Sequence, residues 1–128
     1  MVDPIVPDTD VLIDYLRGHP SAIAFLNAHA NRTILSPIVV AELYAGTKSD
    51  LEVAILDRFV AGFPVVPLTV ETARLAGKYC KQYGKSHNVE LPDALVAALA
   101  QTAGAELQSL NVKHYPMFPG LKPPYRKS

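Results

Sequence analysis

The stretch PDALVAALAQTAGA, residues 92–105, constrains this chain more than any other. Pro92 suits the first turn of a helix, because the amide hydrogen that proline lacks has no intrahelical partner there. Past Asp93 the segment is apolar nearly all round. A helix without a polar face must be surrounded, so the fold has to supply packing on every side of it. With 128 residues, 49% of them hydrophobic, the chain has enough material for one such core. The expectation is a single domain over residues 1–128, with 117–128 an irregular basic end.

The segments around that helix alternate. Val2 to Val6 reads as a buried strand ending at Pro7, and Val11 to Leu16 as a helix whose Asp14 faces solvent. Ser21 is a candidate cap for a second helix through Asn27. TILS is a second strand, and Pro37 opens a helix reaching about Thr47. Asp50 caps another helix through Phe59, and VVPL is a short edge segment, since proline cannot donate to a ladder. Thr69 caps a long helix to about Tyr83, and ELQSL is the last strand. Strands alternating with helices imply an α/β fold with a parallel sheet covered on both faces. Ligands of such sheets bind beyond the carboxyl ends of the strands. That rule gives Asp8, just past the first strand, an address where sites form.

Composition removes several classes. Charged residues are 19% and formal net charge is zero, so no bulk field selects a polyanion. The basic end, from Lys113 and His114 through Lys122, Arg126 and Lys127, is a local exception. Cys80 stands alone, which excludes an intramolecular disulfide and a thiolate zinc site. No apolar run reaches membrane length and no signal-peptide pattern opens the chain, so a soluble, cytoplasmic protein is expected. No Gly-rich turn follows a strand, against a dinucleotide-binding oxidoreductase. A phosphoacceptor receiver domain needs an aspartate after the third strand, and VVPLTVETA offers none. His19, His29 and His87 lack visible partners and read as surface residues.

Several polar residues resist a bland reading. Glu42 lies in PIVVAELYAGT among apolar neighbours, with Ala45 and Gly46 one turn on leaving space beside it. Asp93 stands in the first turn of the central helix, where the helix N-terminus should keep it ionised. Asn111 follows the last strand. Asp8, Glu42, Asp93 and Asn111 are therefore expected to converge at the carboxyl edge of the sheet. Two carboxylates about 4 Å apart repel by roughly 4 kcal/mol at an effective dielectric near 20. A divalent ion turns that repulsion into binding energy. Oxygen ligands alone favour Mg²⁺ or Mn²⁺ over zinc, and such an ion acidifies water for attack on a phosphodiester.

Taken in order, VPDTDVLIDYL, SPIVVAELYAG, LPDALVAALA and LQSLNVKHYPMF resemble the four signature segments of PIN-domain ribonucleases, and among these the VapC-type toxins of toxin–antitoxin pairs. The resemblance spans Val6 to Phe118. It implies a three-layer α/β/α sandwich with a short parallel sheet. It also implies a Mg²⁺- or Mn²⁺-dependent endoribonuclease, a VapB-like antitoxin as partner, and a homodimer whose face could draw on LEVAILDRFVAGF. On this likeness Asp8, Glu42 and Asp93 are the metal-site acids, and Thr9 is the hydroxyl beside the first. Asn111 stands where many members carry an acid, and Asp10 where asparagine or serine is commoner. Asp10, Thr9, Lys113 and His114 could contact the RNA substrate. The missing acid leaves an alternative: a PIN-like module that binds RNA or a partner without cutting.

Overall fold

In the computed structural model, which describes residues 2–127, the central helix is surrounded as its sequence requires. It runs Leu91–Thr102 (α6), and residues 96–100 are buried without interruption. Five consecutive residues exceed one 3.6-residue turn, so the burial covers the full circumference. Val96, Ala97, Leu99 and Ala100 join the main core, while Ala94 and Ala98 pack with Ala76 and Val89 in a second cluster.

The sheet is short. Strand β1 (Ile5–Pro7) pairs in parallel with β2 (Glu106–Gln108), in the register Ile5 with Glu106 and Pro7 with Gln108. The two remaining expected strands are reduced to single parallel bridges, Ile5 with Thr33 and Leu35 with Val65. Pro64 and Pro67 flank that last bridge, and a proline cannot donate to a longer ladder. All three residues of β1 are buried. Burial on both faces is the condition of a parallel sheet between helical layers, and the α/β/α arrangement is the one expected.

The other helices follow in chain order: α1 (Thr9–Leu16), α2 (Pro20–His29), α3 (Pro37–Ala45), α4 (Asp50–Ala61) and α5 (Val70–His87). Ser36 caps α3 by accepting the amides of Ile38 and Val39 ahead of Pro37. Thr69 caps α5, which continues past Tyr83 to His87, where Asn88 turns left-handed at φ 54°. Two expected caps are displaced. Ser49, not Asp50, accepts the Glu52 amide and caps α4. Ser21 caps nothing: α2 begins at Pro20, whose fixed φ fits a helix start, and its preceding residue His19 offers no side-chain bond.

A further correction concerns α1 and the chain end. Asp14 is not solvent-facing but 6% exposed. Its carboxylate accepts the Tyr125 hydroxyl at 2.7 Å and Lys127 Nζ at 2.9 Å, while Tyr125 stacks on His19. The end is irregular as expected, yet it is tied down over α1 and α2, and His19 is half-buried instead of a surface residue. Met1 and Ser128, the ends of the expected domain, lie outside the described residues. No described helix is long and apolar enough to cross a membrane.

Candidate functional site

Asp8 stands at the hinge between β1 and α1, where its local role is to cap the helix. Its Oδ1 accepts the Thr9 amide at 2.8 Å. Its Oδ2 accepts the Ser109 hydroxyl at 2.9 Å and the Tyr115 hydroxyl at 2.6 Å. Asp8 is 9% exposed, and a buried carboxylate survives by collecting such donors. Burial and the Asp8 charge push the Tyr115 phenol far above its usual range, so it remains a donor.

Glu42 comes to the same edge from α3. The Thr9 hydroxyl donates to its Oε1 at 2.7 Å, joining the start of α1 to α3. Glu42 is exposed at the lip of a groove of about 270 Å³ between α1, α3 and α4, with Ile13, Leu43, Gly46 and Ile55 among its walls. A side chain on Gly46 would meet the backbone oxygens of Glu42 and Leu43 at 3.7 Å, an ordinary contact distance, and no other side chain crowds this place.

Asp93 approaches from the first turn of α6, its side chain 25% exposed, with Oδ2 3.6 Å from His114 Nδ1. Its pKa is raised, against the expectation that the helix start would hold it low. Burial is the largest cause; His114 and the Glu90 amide oppose it, and the charges of Asp8 and Glu42 add to it. The charges of Asp8 and Glu42 thus reach Asp93 across this edge.

Asp10 binds the start of α1 to the segment after β2, accepting the amides of Val11 at 2.7 Å and Leu110 at 3.0 Å. Burial, then the Asp8 charge, push its carboxyl up to about 6 despite those amides. Asn111 is exposed, and its contribution to this edge is its backbone: the amide donates to Ser109 Oγ at 3.1 Å. Lys113 is exposed on the 3-10 turn Val112–His114.

Two contributors escaped sequence reading, Ser109 and Tyr115. Both lie about a hundred positions from the carboxylate they serve. The available signal was that a tyrosine in an apolar segment needs a partner for its hydroxyl.

The donor chemistry fits a hard divalent cation. The acids supply oxygen alone, and among the described residues no Lys or Arg forms an ion pair with Asp8, Asp10, Glu42 or Asp93. No three His, Cys, Asp or Glu side chains among those residues close into a ready-made cage. Mg²⁺ does not ask for one, because it commonly keeps several waters and takes one or two carboxylates.

The PIN domain family matches residues 5–113. Ribonuclease VapC19 of Mycobacterium tuberculosis is 37% identical over 122 residues, covering 92% of this chain and 97% of that protein. Ribonuclease VapC10 of the same organism is 40% identical over 124 residues, with coverage of 94% and 92%. A toxin–antitoxin complex from Klebsiella pneumoniae contains a chain that superposes with a TM-score of 0.83 at 25% identity, covering 96% of this chain and 99% of that one. The DNA-bound VapBC of Salmonella typhimurium shares the fold, with a TM-score of 0.79 at 20% identity over 94% and 96% of the two chains. The edge of the sheet that gathers Asp8, Glu42 and Asp93 falls within the matched span, and the chain belongs to the PIN-domain family.

Proposed function

We propose that this protein is a Mg²⁺- or Mn²⁺-dependent endoribonuclease of the cytoplasm, the toxin of a toxin–antitoxin pair. The observation that carries the reading is that Asp8, Glu42 and Asp93 lie near enough to act on one another's charge, with no Lys or Arg paired to them among the described residues. The names of the VapC relatives, both ribonucleases, support the reaction class.

Asp8 and Asp93 would hold the ion, with Glu42 beside them. When bound, a divalent ion neutralises the acids and supplies Lewis-acid stabilisation of phosphate charge. The protein's own part is orientation. Ser109, Tyr115 and the Thr9 amide fix the Asp8 carboxylate, and the Thr9 hydroxyl fixes Glu42. Asn111, Lys113 and His114 would meet the phosphate backbone at the rim, with Asp10 bracing the loop that carries them. In the reaction, water adds to phosphorus, the bond to the 3′-oxygen breaks, and that oxygen takes up a proton. The 2′-hydroxyl has no part in the attack, so the downstream product carries a 5′-phosphate.

A VapB-like antitoxin would block the same edge. Carboxylates that pair with no Lys or Arg among the described residues, beside a largely apolar groove, suit a cationic side chain carried on an apolar segment, and arginine matches carboxylates bidentately. Leu51 and Ile55 of α4, 70% and 51% exposed, would serve a homodimer face.

The test is cleavage of total RNA against Mg²⁺ and Mn²⁺, by the wild type and by Asp93→Asn. The expected result is metal-dependent cleavage, lost by about 100-fold or more in the variant, with circular dichroism unchanged. Binding of RNA without cleavage at any metal concentration would favour the non-cleaving module instead.

A further inference from the structure

Outside the acidic cleft, α5 carries charge that has no ion-pair partner among the described residues. Arg74, Lys78, Lys81 and Lys85 are spaced by four, three and four residues, which puts them on one helix face. All four are exposed, and among the described residues none forms an ion pair. The stripe is about 16 Å long at 1.5 Å per residue. Four of the twelve basic residues of a chain with zero net charge thus lie in one line.

Helix stability accounts only for Lys85, which stands in the last turn of α5 where the dipole favours a cation. Like charges three and four positions apart oppose a helix. Arg74 stands near the positive end of α5, where the dipole gives a cation no help. Beside the stripe runs a shallow groove of about 930 Å³, bounded by Arg74, Gly77, Lys78, Lys81, Gln82 and Thr102. A side chain on Gly77 would meet nothing within 4 Å, so the groove is open at its middle. Glu71 supplies an acid only at the far end.

The direction of the stripe connects it to the cleft. Helices α5 and α6 form a hairpin: Thr72 Oγ1 lies 2.9 Å from Thr102 Oγ1 at one end. At the other end residues 88–90 join His87 to the start of α6, whose first turn holds Asp93. Lys85 is therefore at the Asp93 end of the hairpin and Arg74 at the distal end.

We propose that this face of α5 is a docking track for the backbone of single-stranded RNA, extending the substrate site away from the acidic cleft. The proposal rests on the ribonuclease reading for the identity of the polyanion. Evenly spaced cations beside Gly, Gln and Thr fit a repeating phosphate chain, because Lys and Arg position nucleic acid through phosphates. An acidic protein partner would call for apolar or aromatic anchors, and the groove offers only the half-buried Leu75.

The test combines Arg74→Gln, Lys78→Gln, Lys81→Gln and Lys85→Gln. Glutamine is a good helix former, and removing like charges should leave the melting temperature equal or higher. Binding of long oligouridylate is followed by fluorescence anisotropy across a salt series, in an Asp93→Asn background to prevent cleavage. Each lost phosphate contact lowers the slope of log affinity on log salt by about 0.7, hence about 2.8 for four. The tightening between about 200 and 50 mM salt should then shrink by roughly 50-fold. In the active background, KM for the long RNA should rise with kcat unchanged, while a tetranucleotide too short to reach the track is cleaved equally. An unchanged salt slope and KM would overturn the track while leaving the ribonuclease reading intact. A parent protein that binds no oligouridylate, or an equal loss of polyglutamate binding, would also overturn it. Stripe-dependent RNA binding by a parent that never cleaves would leave the track standing and remove the ribonuclease reading.

Discussion

Tyr115→Phe isolates the physical basis of the site, because it removes one oxygen and little else. The side chain is 1% exposed and its hydroxyl lies 2.6 Å from Asp8 Oδ2. A hydrogen bond to a charged group contributes about 1.5–3 kcal/mol. Asp8 keeps the Ser109 hydroxyl and the Thr9 amide, so a loss of about 2 kcal/mol is expected. For a domain of 128 residues that corresponds to a fall in melting temperature of about 7 °C. The assay is thermal unfolding in EDTA, so that no cation substitutes for the missing donor. Ser109→Ala, which removes the other donor to the same oxygen, should cost about 1–2 kcal/mol. The double variant should lose more than the sum, because Oδ2 is then buried with neither hydroxyl. A fall of less than about 2 °C for Tyr115→Phe, or strict additivity with Ser109→Ala, would refute the claim that these hydroxyls hold the Asp8 charge in place.

Three further outcomes are expected. Burial pushes the Asp14 carboxyl up, but the hydrogen bonds from Tyr125 and Lys127 and the charges of Lys127 and His19 outweigh it and hold it below 3.8. A carboxyl depressed in the fold contributes stability that is present above its unfolded pKa and lost as pH falls through the folded value. Tyr125→Phe should therefore cost about 1–2 kcal/mol near neutrality, with the gap to wild type narrowing in acid unfolding below 3.8; a gap constant into acid would contradict this. Gly77→Ala should raise stability by about 0.5–1 kcal/mol, read as denaturant midpoint, since the added methyl meets nothing within 4 Å; a lower midpoint would show that the site is not open. Asn111→Asp adds a carboxylate to an already acidic edge and should lower metal-free stability by about 1 kcal/mol, while enlarging the thermal shift given by Mn²⁺. An unchanged Mn²⁺ shift would place Asn111 away from the ion.

Much of the architecture was legible because it rests on local chemistry. The all-round apolarity of α6 demanded enclosure, and Pro37 and Thr69 announced their helices. Asp8 and Asp93 could be gathered by a topological rule, since one follows a strand and the other opens a helix at one edge of the sheet, whereas Glu42, well inside α3, stood out by its apolar neighbours. The rest depended on contacts distant in sequence. Asp14 sits at a position that local pattern assigns to solvent, and only Tyr125 and Lys127, more than a hundred residues on, make it a buried anchor. Ser109 and Tyr115 serve Asp8 across a similar separation. The displaced caps show a finer limit: Ser49 and Asp50 are both good capping residues, and backbone geometry chose between them. For Asp93, the favourable dipole and the neighbouring acids were visible in the sequence, whereas the burial that chiefly raises its pKa was not.

The central claim is that this acidic edge hydrolyses RNA with water as the nucleophile and a divalent ion in attendance. The most direct measurement is the chemistry of the product ends, read from RNA cleaved by the purified protein in Mn²⁺ and in EDTA. The account predicts fragments with 5′-phosphate and 3′-hydroxyl ends in Mn²⁺ and intact RNA in EDTA. Fragments ending in 2′,3′-cyclic phosphate, or cleavage undiminished by EDTA, would contradict it.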